Sequence, residues 1–126
     1  MRTFLLVFLF LPLWGCAVVN SNLVDQIGTR YPVDTHALAI EAADELCLHY
    51  YPAKTTFRME HTETVFGTAF EDALRKLGFA VSETEPSGIP LSYVVDELLD
   101  APGTAYVRIN AGGQSFSMHR ALRQLR

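Results

Sequence analysis

Most of the stretch from Ile89 to Ala121 alternates with a period of two, interrupted by short turns and by Asp96–Asp100, which either finishes a strand or loosens into a loop. Leu91, Tyr93 and Val95 alternate with Pro90, Ser92 and Val94. Ala105, Val107 and Ile109 alternate with Tyr106, Arg108 and Asn110. Phe116 and Met118 oppose Ser115 and Ser117. A period of two sends successive side chains to opposite faces of a strand. The interruptions, Ala101-Pro102-Gly103 and Ala111-Gly112-Gly113, are turn sequences. Neither leaves room for the crossover that a parallel pair needs, roughly a dozen residues or more. These strands are therefore expected to run antiparallel, the last two as a hairpin around Gly112-Gly113.

Upstream the period changes. Ala39, Ala43, Leu46 and Tyr50 recur at helical spacing, and Ile40, Cys47 and Tyr51 widen the stripe. The pattern predicts a core-facing helix that Asp34 or Thr35 caps and Pro52 ends. The paired tyrosines are open to a second reading, as a contact surface. Thr55–Glu60 alternates as a strand, with Phe57 and Met59 on its apolar side. Phe66, Ala69, Phe70, Ala73, Leu74 and Leu77 make the most regular stripe in the chain. Glu71 with Arg75 and Asp72 with Lys76 lie four apart on its wet side, and Gly78 stands where a C-terminal glycine cap belongs. Phe79–Ser82 begins another strand. The predicted class is α+β: a two-layer sandwich of two helices on a mostly antiparallel sheet of about four to five strands.

The first residues follow a different logic. Met1-Arg2-Thr3 carries one positive charge, an apolar run extends from Phe4 to Leu11, and Leu13-Trp14-Gly15-Cys16 follows. A basic end, a short greasy stretch and a small residue at the cut make a secretory signal. The apolar run is too short to span a bilayer, which takes about 20 residues. Leu13-Trp14-Gly15-Cys16 resembles the lipobox of bacterial lipoproteins, which implies acylation of Cys16 after cleavage. The predicted organisation is a signal peptide over 1–15, a lipidated tether over 16–33, and a small α+β domain over 34–126. The tether is rather apolar, at Val18, Val19, Leu23, Val24 and Ile27, so part of it is expected to dock on a partner or on its own domain. Ala17, after the lipidated position, resembles the outer-membrane class of lipoproteins, so the expected location is the periplasmic face of the outer membrane.

The formal net charge is −4, and loss of Arg2 with the leader makes it one unit more acidic. Such a surface does not favour nucleic acid, whose grip needs a basic patch. With Cys16 lipidated, Cys47 has no partner for an internal disulfide. It reads as a buried thiol, or alternatively as an intermolecular bridge. His36, His49, His61 and His119 show no metal-ligand spacing. Ser115 and Ser117 lack a nucleophile elbow. Asp96, Glu97 and Asp100 read as solvated acids beside a turn. The expectation is no enzyme, no catalytic or metal residue, no cofactor and no small-molecule substrate, with Cys16 as the single modified site. His119, Arg120, Arg123 and Arg126 make the C-terminus basic, either as a solvated end or as a docking tail for an acidic partner. A short helix there is a further possibility, from the three-residue spacing of the arginines.

Phe66–Val81, Pro90–Leu98, Tyr106–Ile109, Gly112-Gly113 and Ser117–Ala121, together with the lipobox, resemble the TrbH family, small lipoproteins of conjugative transfer operons. The resemblance implies a structural part in mating-pair formation, a type IV secretion apparatus that moves DNA between bacteria. The implied partners are the membrane, through the lipid anchor, and protein subunits of the conjugation channel. Edge strands, either Thr55–Glu60 or the last hairpin, are candidates for strand addition to a neighbour. The alternative is a general envelope lipoprotein that binds cell wall or a small ligand at a pocket rimmed by aromatics such as Tyr93 and Tyr106.

Overall fold

A computed structural model describes residues 23–123. Strand β1 (Leu23–Asp25) leads into helix α1 (Pro32–His49), a 3-10 turn over Pro52–Lys54 and strand β2 (Thr56–Arg58). Helix α2 (Val65–Lys76), β3 (Ala80–Ser82), β4 (Ile89–Glu97), β5 (Thr104–Ala111) and β6 (Gln114–Ala121) follow. Both helices cover one face of a single open sheet, a two-layer α+β sandwich. The sheet has six strands, slightly more than the alternation predicts.

Its long pairings are antiparallel. Tyr93 lies opposite Ile109 in β4–β5, and Val107 opposite Met118 in β5–β6. The hairpin turn has positive φ at Gly112 (59°) and not at Gly113, which is the type II′ signature. The three short strands are parallel: β2 to β3, β2 to β4, and β1 to β4. Each parallel step has a helix to supply its crossover. Chain running β1–α1–β2 and β2–α2–β3 returns in the same direction, as a helical connection allows.

The order β3-β2-β4-β5-β6 places β2 inside the sheet. Thr55–Glu60 is therefore not the open edge that strand addition requires, although Phe57 and Met59 are buried as the alternation predicts. Residues 17–33 divide. Leu23–Asp25 pairs with Tyr93–Val95 of β4, and Ile27 is fully buried, so the later part of this segment docks on its own domain.

α2 forms as its sequence dictates. The Thr64 hydroxyl accepts from the Gly67 amide at 3.0 Å. At the other end Phe79 N–H donates to the Leu74 carbonyl and Gly78 N–H to that of Arg75. That pair of bonds is a Schellman close, and Gly78 sits at φ 101°. Arg75 reaches Glu71 and Lys76 reaches Asp72, each at 2.9 Å.

α1 departs from expectation in two ways. It starts at Pro32, where the fixed φ and missing N–H suit a first helical residue. Asp34 and Thr35 consequently fall inside the first turn, buried, and neither caps it. Its inward face is Leu38, Ala39, Ala42, Ala43 and Leu46, all fully buried. Ile40 and Tyr51, expected to widen that face, point out instead.

The core lies between the layers. Tyr93, Phe66, Phe70, Phe57, Val95, Val107 and Ile109 are fully buried in it. Phe66 packs on Tyr93 with ring centroids 4.6 Å apart, and Phe70 meets the same ring edge-on at 6.0 Å.

Candidate assembly surface

With the helices on one face, the opposite face of the sheet and its outer edge stay open. The edge is β6. Leu122 N–H donates to the Gly103 carbonyl at 2.7 Å, so even-numbered positions aim their backbone groups at β5. By the alternation of an antiparallel ladder, Ser115, Ser117, His119 and Ala121 aim theirs at solvent. No proline, lysine or bulge blunts this strand, the devices by which edges are usually protected. Its side chains on the helix side, Phe116 and Met118, are half-buried.

A groove of about 460 Å³ runs across the open face. Asp96, Tyr106 and His119 form one row across three strands, and Leu98 and Leu99 rise beside it. Asp96, Glu97 and Asp100 thus gather at the groove rather than at a paired-carboxylate centre. Tyr106 lines it. Tyr93 does not: its ring is buried in the core, and its hydroxyl lies 2.7 Å from the Thr62 hydroxyl and 3.4 Å from that of Thr64.

The basic C-terminal residues are partly tied down. The Arg120 Nε donates to Asp34 Oδ1 at 3.3 Å and its Nη1 to Glu41 Oε1 at 2.7 Å; Arg123 N–H donates to Asp34 Oδ2 at 2.8 Å. Asp34 is 4% exposed, and burying a carboxylate is costly unless it is paired and hydrogen-bonded. Arg120 and the Arg123 amide meet that need, which fastens the end of β6 to the first turn of α1. β6 runs through Arg120 as a strand, so the chain is extended where a short helix was one reading; residues 124–126 lie outside the described residues.

Asp25 makes a second tie that sequence reasoning missed. Its Oδ1 accepts from Ile27 N–H (3.1 Å) and Gly28 N–H (2.7 Å), and its Oδ2 from Phe66 N–H at 3.0 Å. A single carboxylate turns the chain after β1 and caps the N-terminus of α2, where the helix dipole favours negative charge. The Asp-x-x-Gly turn at 25–28 was the available signal; the reach to Phe66, 41 residues away, has no local trace.

The histidines are scattered. His49 packs on Phe116, centroids 4.5 Å apart. His61 is held between Glu71 (2.9 Å) and Glu63 (3.0 Å). The hydrogen bond to Glu71, then that to Glu63, then the charge of Glu71 hold its imidazole pKa above the ordinary 6.5. No group of three His, Cys, Asp or Glu among the described residues is placed to hold a metal. Cys47 is a half-buried free thiol beside the core. Cys16, the expected lipidation site, lies outside the described residues.

Among the described residues, five large apolar side chains are well exposed: Val33, Ile40, Leu48, Tyr51 and Leu99. Four of the five sit on or just after α1. No helix of the described residues is long and apolar enough to cross a membrane.

No curated protein and no solved structure gives a significant match. Residues 21–121 match the family model of the conjugal transfer protein TrbH, and with nearly all of the folded domain inside that match, the chain belongs to the TrbH family and is a component of conjugal transfer.

Proposed function

We propose that this chain is a non-enzymatic outer-membrane lipoprotein that helps assemble the mating-pair apparatus, with Cys16 as its lipidated residue. The observation that carries the reading is the open β6 edge. It offers a row of main-chain donors and acceptors to an incoming strand of a channel subunit, and such hydrogen bonds are an ordinary source of affinity in strand addition. The anchor supports the same reading. Six residues, 17–22, separate Cys16 from β1, and the seven steps from Cys16 to Leu23 span at most about 25 Å when fully extended. A lipid on Cys16 keeps the edge near the bilayer, so contacts too weak for a diffusing protein become sufficient.

Plasmid transfer measured in a gene deletion tests the role; unchanged transfer refutes it. Labelling with radioactive palmitate, in wild type and in Cys16→Ala, tests the anchor, and label persisting in the variant refutes it. Ser117→Pro places a proline where an edge amide points outward. It is expected to disrupt assembly while the monomer stays folded, and normal assembly in it removes the β6 edge from the reading.

A second reading, a general envelope lipoprotein that binds cell wall or a small ligand, draws on the groove beside Tyr106. Cosedimentation of the purified protein with peptidoglycan, lost in Tyr106→Ala, is the result that favours it.

A further inference from the structure

A helix on the surface of an isolated domain is ordinarily polar on its outer side, and one that is apolar all round is buried. α1 fits neither case within this domain. Its inner face is fully buried, yet Val33 is 64%, Ile40 42% and Leu48 78% exposed, and Tyr51, two residues past its end, is 80% exposed. At 100° per residue, positions 33, 37, 40, 44 and 48 fall along one outer line of the helix. Val33, Ala37, Ile40 and Leu48 occupy it, with Asp44 in its midst.

Asp44 decides what covers this line. It makes no ion pair among the described residues. Lys76 lines the same shallow groove, but its ammonium sits 2.9 Å from Asp72. Of the other acids of α1, Asp34 and Glu41 are matched by Arg120, and Glu45 faces only His49, at 3.4 Å. α1 contains no lysine or arginine. Any surface that buries Ile40 and Leu48 also dehydrates Asp44 between them, which is costly unless a cation is supplied.

An anionic lipid surface does not supply it. Helices that lie in a membrane interface carry Lys and Arg on their polar face, and anionic headgroups repel an acidic one. The α1 of a second copy, which contains no lysine or arginine, brings no such cation to Asp44. We infer that the outer face of α1 docks onto another protein of the transfer apparatus, one that presents an apolar strip carrying a lysine or arginine opposite Asp44. The inference rests on the assembly role proposed above and names a second contact surface for it, separate from the β6 edge.

The test uses the full chain in cells that carry the transfer apparatus. A benzophenone amino acid replaces Leu48, or Ser87 in an exposed turn as control. The expected result is a light-dependent adduct from position 48 and not from 87, with the crosslinked peptide of another apparatus subunit containing Lys or Arg within an apolar strip. A peptide from this chain itself, a lipid adduct, or no adduct at position 48 overturns the inference. In parallel, Leu48→Glu and Asp44→Lys are expected to lower transfer about tenfold or more, the scale of losing one central contact. Their thermal midpoints are expected to stay at the wild-type value. A membrane contact predicts the opposite sign for Asp44→Lys. Wild-type transfer in both variants, with transfer lost in the deletion, overturns the docking face and leaves the assembly role standing. Unchanged transfer in the deletion removes both.

Discussion

α1 and α2 lie side by side on the same face of the sheet, and each buries one side against it. Their outer sides differ. α2 faces solvent with Glu71–Arg75 and Asp72–Lys76, two ion pairs at i, i+4. α1 faces solvent with Val33, Ile40 and Leu48. Their ends differ as well: α2 is closed by Thr64, Asp25 and a glycine, whereas α1 starts on a proline with no side-chain cap. α2 is stabilised from within the chain at both ends and along its length. α1 keeps a surface whose burial the domain alone does not provide, as expected of an element selected partly for what it touches elsewhere.

Substitutions can break this contrast. The largest loss of stability is expected on the buried side of either helix: Phe70→Ala in α2 costs about 3–5 kcal/mol and Leu38→Ala in α1 about 2–5 kcal/mol. Urea melts of both variants check this; equal loss on the two inner faces shows that the contrast is confined to the outer ones. Gly67→Ala comes next. A Cβ there would collide with the Thr62 hydroxyl and the Tyr93 hydroxyl, and overpacking of this kind costs about 1–3 kcal/mol.

Asp25→Ala is expected to cost a similar or smaller amount, about 1–3 kcal/mol, because the Ile27, Gly28 and Phe66 amides lose their acceptor. Hydrogen exchange sharpens this case: protection should fall in the first turn of α2 and around β1, and not in α1. On the outer face of α1, Leu48→Glu should change stability by no more than about 0.5 kcal/mol while lowering transfer. A large drop in its melting temperature would mean that Leu48 supports the fold and not a contact.

The smallest effect belongs to His61, on the α2 side. Its folded-state pKa is raised above 6.5 by Glu71 and Glu63. The protonated form is therefore favoured by folding. The contribution is complete below the unfolded value and fades as pH rises through the higher folded value. His61→Gln should flatten the slope of stability with pH in that window, and an unchanged slope would show that the contacts with Glu71 and Glu63 contribute nothing.

What the sequence made legible follows the same division. α2 was readable along its length and at its C-terminus, because its stripe, its charge pairs and its closing glycine are signals within four residues of one another; its N-terminal caps, Thr64 and Asp25, were not read. The hairpin at Gly112-Gly113 was readable for the same reason. α1 was readable as a helix, and its stripe of Ala39, Ala43 and Leu46 is the buried side, but how far that side extends was not: apolar residues occur on nearly every side, so Ile40 and Tyr51 looked like core and Leu48 drew no notice. The open edge at β6 was one of two candidates, and only the strand order eliminated the other.

The amino-acid sequence by itself determined the periods, the turns, the body and C-terminal close of one helix, and the kinship with conjugal transfer proteins. All of these are written in neighbouring residues or in motifs of fixed spacing. Only the tertiary structure decided that β1 joins the sheet, that β2 is interior and parallel, that Asp25 caps a distant helix, and that Arg120 locks β6 to Asp34. Each of those depends on which segments meet across tens of residues, and a local pattern constrains which face of a segment is apolar without choosing its neighbour.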